Sequence, residues 1–89
     1  MSVKVNPHPY LTEGTVAPQV ELEGKSVGEC LKSLVARFPA MQAKLFAKPD
    51  KLHGYIEILV NAQSTFPKEL TFPLQDGDEV TILVFLSGG

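Results

Sequence analysis

One cysteine in 89 residues, Cys30, rules out an internal disulfide and fits a reducing compartment. No apolar run approaches the ~20 residues needed to span a bilayer. The stretch from Met1 to Pro7 also lacks a positively charged segment followed by an apolar one. A soluble, cytoplasmic protein with no membrane contact is therefore expected. Neither sign of charge dominates: 8 Lys and Arg against 10 Asp and Glu leave a formal charge of −2. The basic residues are scattered, so no patch is available to neutralise phosphates and no nucleic-acid partner is expected. No Gly-x-x-x-x-Gly-Lys loop is present, so the chain itself is not expected to bind nucleotide. His8 and His53 stand far apart without Cys, Asp or Glu at ligand spacing, and no metal site is expected.

What is there suits one small globular domain, 44% hydrophobic and 20% charged. Val3 and Val5 alternate with polar residues, and Gln19-Val20-Glu21-Leu22 alternates again, which predicts two strands of a hairpin around an irregular loop holding Pro7, Pro9, Gly14 and Pro18. Ser26-Val27-Gly28-Glu29 has capping-box spacing. Behind it Val27, Leu31, Leu34, Val35 and Phe38 recur at helical intervals, predicting a helix over about 27–38 that stops before Pro39. Met41, Leu45 and Phe46 suggest a short helical turn at the edge of the core, closed by Pro49-Asp50-Lys51. Tyr55 to Asn61 reads as a strand with Ile56, Ile58 and Val60 on one face and Tyr55, Glu57 and Leu59 on the other. A turn is expected at Asn61-Ala62-Gln63. Phe66, Leu70, Phe72 and Leu74 then anchor irregular or short-strand structure before Asp76-Gly77-Asp78 and a last apolar strand from Glu79. The order is β-β-α-β-(β)-β, an α+β chain in which one helix covers one face of a four- to five-stranded sheet.

The chain closes on Phe85-Leu86-Ser87-Gly88-Gly89. A final Gly-Gly arises by composition alone in roughly one chain in 200, so the pair carries little by itself. Its position carries more. It follows directly on a strand, glycine lets a wall approach the main chain closely, and the residues from Phe85 to Gly89 reach ~17 Å when extended. Such a stalk can carry the Gly89 carboxylate into a narrow active site, with Ser87 and Gly88 as the part that enters.

The segment Ile58-Leu59-Val60-Asn61, the turn Asp76-Gly77-Asp78-Glu79-Val80 and the closing Gly88-Gly89 resemble the sulfur-carrier proteins of the MoaD/ThiS family, which share the ubiquitin-like β-grasp fold. Lys51-Leu52-His53-Gly54-Tyr55 and Thr81-Ile82-Leu83 are also similar to the carrier of that family dedicated to cysteine biosynthesis. Phe85-Leu86-Ser87 departs from the proline-containing run ending in alanine that the molybdopterin-synthase small subunit often shows. The resemblance implies a β-grasp domain over 1–86 and a flexible tail over 87–89. It implies a carrier that is not an enzyme by itself and binds no cofactor. An E1-like adenylating enzyme would use ATP and magnesium to join AMP to Gly89, a sulfur donor protein would convert the adenylate to a thiocarboxylate, and a sulfur-accepting synthase subunit would take the sulfur for molybdopterin or cysteine-type biosynthesis. A ubiquitin-like modifier joined to lysines through Gly89, or a plain interaction module, are the alternatives.

On a sheet with one covering helix, Leu59, Leu83 and Phe85 should be poorly covered, and if they adjoin they make an apolar docking patch beside the tail. The loop from Pro39 to Gly54, or a second copy of the chain, could cover them instead. Cys30 lies beside the apolar stripe and reads as a small buried hydrophobe.

Overall fold

The structure is a computed structural model and describes residues 2–13 and 17–85. Strand β1 (Ser2–Asn6) pairs antiparallel with β2 (Val20–Glu23), Val3 opposite Leu22 and Val5 opposite Val20. The loop between them contains a short helix, α1 (Pro9–Thr12), that the proline content did not announce. The His8 ring caps it, Nδ1 accepting from the Tyr10 N–H at 3.0 Å, and Pro9 occupies a first-turn position where a missing N–H costs nothing.

The main helix, α2 (Val27–Arg37), starts at the expected cap. The Ser26 hydroxyl accepts from the Glu29 N–H at 3.2 Å, and Glu29 reaches back to the Lys25 N–H at 3.0 Å, one residue beyond the usual box. Its face of Val27, Cys30, Leu31 and Leu34 is fully buried, with Val35 and Phe38 partly so. Helix α3 (Met41–Leu45) adds Met41 and Leu45 to the same core. The chain then forms a small separate hairpin, β3 (Phe46–Lys48) with β4 (Lys51–Leu52), where only a closing turn was expected.

Strand β5 (Ile56–Val60) runs antiparallel to the last strand, β7 (Glu79–Val84), with Ile58 opposite Ile82 and Val60 opposite Val80. Between β5 and β6 (Gln63–Ser64) the chain turns through Asn61 and Ala62 at φ of 50° and 69°, the left-handed pair that a two-residue hairpin requires. The expected anchor segment before β7 supplies a single 3₁₀ turn at Glu69–Thr71. Leu74 is buried there and Leu70 and Phe72 pack against the core, whereas Phe66 is 70% exposed and anchors nothing.

The main sheet has the order β2-β1-β7-β5-β6, with β1 and β7 parallel and the other pairs antiparallel. This mixed sheet with α2 across one face is the expected α+β, β-grasp architecture. Val3, Val5, Ile58, Val80 and Ile82 supply the sheet side of the core. Two carbonyls of β2, an edge strand, are capped from the helix: Arg37 donates to Glu21 O at 3.1 Å and Ser33 to Glu23 O at 2.9 Å, which blunts that edge against further strand pairing. Among the described residues no helix is long and apolar enough to cross a membrane.

Candidate functional site

Strand β7 lies between β1 and β5, so both its flanks are hydrogen-bonded, and its entry is fixed by a dense polar knot. Gly77, at φ 85°, makes the turn that Asp76-Gly77-Asp78 suggested, a conformation in which only glycine is free of strain. The Gly77 N–H donates to Ser2 O at 2.9 Å, the Ser2 N–H donates to Asp76 Oδ1 at 2.9 Å, and the Lys4 N–H donates to Asp78 O at 2.9 Å. From the other side Asn61 donates through Nδ2 to Asp78 Oδ1 at 3.1 Å and accepts at Oδ1 from the Glu79 N–H at 3.0 Å. The Asn61 N–H donates to Glu79 O at 2.8 Å. The valine-asparagine and acidic-glycine-acidic motifs, 17 residues apart, are thus the two halves of one clamp.

The exit of β7 is built differently. Residues inside the strand alternate, so Val80 and Ile82 face the helix while Thr81 and Leu83 face away, as Leu59 does on β5. Leu59 stands opposite Thr81 and Leu83 opposite Glu57, which sets the two leucines on a diagonal; both are half-buried. Phe85, one residue past the strand, is held by its N–H donating to Tyr55 O at 2.8 Å while its side chain stays 61% exposed. Of the three residues expected in a docking patch, Phe85 is therefore the one most open to solvent. Ser87, Gly88 and Gly89 lie outside the described residues, which end at Phe85.

Phe85 also lines a concavity of about 520 Å³, together with Leu52 and His53 of the hairpin region and Phe66 and Leu70 of the segment before β7. The alternative that the 39–54 segment covers these residues does not hold for Phe85, which stays exposed; Asp50 to Gly54 instead wall this concavity. Phe66 is the functional candidate that sequence reasoning missed. It sits in an apolar series with Leu70, Phe72 and Leu74, so local pattern places it in the core, and only the tertiary arrangement turns it outward. Two of the three large exposed hydrophobics among the described residues, Phe66 and Phe85, meet at this one hollow.

Other residues have structural duties. Cys30 is fully buried, and burial pushes its thiol from 9.0 up to about 11, so it stays protonated and unreactive at neutral pH. His53 stacks on Tyr55 at 4.8 Å, and its Nε2 meets Ala43 O at 2.9 Å. Lys44 donates to Tyr10 O at 3.0 Å, pairs with Glu13 at 3.1 Å and lies 5.1 Å over the Tyr10 ring, joining α3 to α1. Among the described residues, no group of three or more His, Cys, Asp and Glu is arranged to hold a metal ion.

The profile of the ThiS family matches residues 3–89. The sulfur carrier protein CysO of Mycobacterium tuberculosis is 33% identical over 73 residues, covering 79% of this chain and 78% of that protein. The solution structure of small archaeal modifier protein 1 from Methanosarcina acetivorans superposes with a TM-score of 0.85 at 35% identity, over 99% of this chain and 96% of that one. The Amycolatopsis orientalis BexX/CysO complex contains a chain that superposes with a TM-score of 0.84 at 31% identity, over 98% of this chain and 99% of that one.

Proposed function

The chain belongs to the ThiS family of ubiquitin-like sulfur-carrier proteins, and from that premise we propose that it carries sulfur as a thiocarboxylate on Gly89. The observation that carries this reading is the exit of β7: the central strand delivers the chain at an exposed Phe85, four residues before Gly89, in a family match that extends through residue 89. The fold acts as a handle, and the chemistry belongs to the enzymes that grip it.

A carboxylate is a poor electrophile because its charge is delocalised. In the proposed cycle a Gly89 carboxylate oxygen attacks the α-phosphorus of ATP on a partner adenylating enzyme, pyrophosphate leaves, and an acyl adenylate forms. Hydrosulfide, or its equivalent on a donor, then attacks the carbonyl carbon and AMP leaves with the C–O bond electrons. The thiocarboxylate passes its sulfur to an acceptor held by a synthase subunit, and likeness to CysO favours a cysteine-type pathway over molybdopterin. Ser87 and Gly88 are the residues that thread the active sites, where the absence of a Cβ at Gly88 lets the wall close on the backbone.

The test is intact mass after incubation with the adenylating enzyme, ATP and sulfide. A gain equal to exchange of one oxygen for sulfur is expected, and its absence, with an enzyme proven active on another carrier, would sink the reading. A second reading, protein modification through Gly89, is favoured by the likeness to small archaeal modifier protein 1. It predicts a ladder of covalent adducts detected with antibody to this chain, where the carrier reading predicts a single band.

A further inference from the structure

The concavity under Phe85 has an apolar floor, Leu52 and Leu70, and two exposed phenyl rings, Phe66 and Phe85, at its margin. Its charged lining is unequal: Asp50, Glu57 and Glu69 against Lys51. His53 also lines the hollow, its ring stacked on Tyr55 and its Nε2 against Ala43 O. An anionic occupant is repelled by such a lining, and a purely apolar one offers nothing to the Asp50 and Glu69 carboxylates, whereas Glu57 already accepts from the Ser64 hydroxyl. The occupant that satisfies both parts has an apolar side chain for the floor and a cation for the rim. A guanidinium is the better cation, because it pairs with carboxylates and also lies flat against aromatic rings.

We propose that this concavity is a docking site for an apolar segment bearing an arginine, supplied by the adenylating enzyme that takes up the tail. The inference rests on the carrier reading, and it adds a contact that the tail itself cannot provide. Phe85 belongs to the wall of the concavity and stands four residues before Gly89 in the sequence, so an enzyme that holds Gly89 at its reaction centre works within a few residues of this hollow. The tail is then what reacts, and the concavity is what selects. Phe66 and the Glu57 and Glu69 carboxylates act as specificity-determining residues: they set how often the right enzyme engages, and leave the chemical step to the tail.

Adenylation kinetics test this, with pyrophosphate release followed as carrier concentration is varied. Phe66→Ser, and separately the double variant Glu57→Gln with Glu69→Gln, should each raise KM by about tenfold, the usual scale for loss of an interface anchor, with kcat held within about twofold. Added salt should raise the wild-type KM more steeply than that of the double variant, because two of the three lining carboxylates are gone. Phe66 is 70% exposed and a glutamine at position 57 can still accept from the Ser64 hydroxyl, so the variants should keep the wild-type amide spectrum, a check that a changed KM is not a folding defect. An unchanged KM in both variants while wild type is charged normally overturns the docking site and leaves the carrier reading standing. A loss confined to kcat also overturns it, since docking must appear in KM. If wild type is not adenylated by an enzyme active on another carrier, the carrier reading fails and this inference falls with it.

Discussion

The two ends of strand β7 are built to opposite rules. At its entry, Asp76, Gly77, Asp78 and Glu79 are tied to Ser2, Lys4 and Asn61 by direct hydrogen bonds between 2.8 and 3.1 Å. At its exit, Phe85 retains a backbone bond to Tyr55 and otherwise opens onto a hollow shared with an exposed Phe66. A carrier that presents its end to other proteins needs both. Under the proposed function the strand must not slip when the tail enters an active site, and the surface around the exit must stay available. Polar bonds secure the first because they fix register; exposed aromatic area serves the second because it gains free energy only when a partner covers it.

Removing Gly88 and Gly89 should separate the two ends most sharply. Charging by the adenylating enzyme should be abolished in the intact-mass assay while the unfolding transition stays at its wild-type position. Gly88→Val should act the same way through bulk. A loss of stability in either would mean that the tail is part of the fold.

The entry clamp should show the opposite behaviour. Asn61→Ala removes two side-chain hydrogen bonds and puts a Cβ-bearing residue less tolerant of φ 50° in the turn, so about 2 kcal/mol should be lost, a fall in Tm of roughly 10 °C. Asn61→Gly relieves the backbone and keeps the hydrogen-bond loss; thermal unfolding of the pair apportions the two causes. Charging kinetics of either variant, measured below its Tm, should stay near wild type.

Beneath both ends, the core can be probed through Cys30. Its folded-state thiol is raised above the ordinary 9.0 to about 11, so below pH 9 both folded and unfolded states are protonated and the full stability is present. As pH rises through this window the unfolded state ionises first, and stability should fall by at most about 1.4 kcal/mol per pH unit. Denaturant titrations of wild type and Cys30→Ala across that window should differ in slope, wild type being the steeper. Equal slopes would mean that the thiol is less sealed than its position indicates.

The smallest stability effect belongs to the exit. Phe85→Ser and Phe66→Ser should each change unfolding free energy by less than about 0.5 kcal/mol, as expected for exposed side chains. A fall of several times that size would mean that the aromatic pair holds the fold together.

Much of the entry was legible in the chain. Asn61 and the Asp76-Gly77-Asp78 run are residue types whose backbone preferences and polar side chains favour turns in any context, so sequence reasoning found both. It did not see that they bind each other, because that depends on β5 and β7 being neighbours. The capping of α2 and its buried stripe were legible for the same local reason, although Gly28 shows the limit. A glycine in the first turn reads as a modest cost to the helix. In the fold, a Cβ there would stand 2.7 Å from the Leu70 carbonyl oxygen, so the missing side chain is what allows the helix to approach that segment. The exit was read in part: Leu59, Leu83 and Phe85 were placed outward by alternation, whereas Phe66 was read with its apolar neighbours as an anchor of irregular or short-strand structure.

Sequence by itself determined the helix and its cap, the alternating strands and the turn chemistry, since each depends on residues a few positions apart obeying backbone sterics and hydrophobic periodicity. Tertiary structure alone decided that β7 lies between β1 and β5, that Asn61 clamps Asp78, and that Phe66 meets Phe85 over an acid-rimmed hollow. Those contacts join segments tens of residues apart, and burial of the shared core, which no local stretch encodes, is what brings them together.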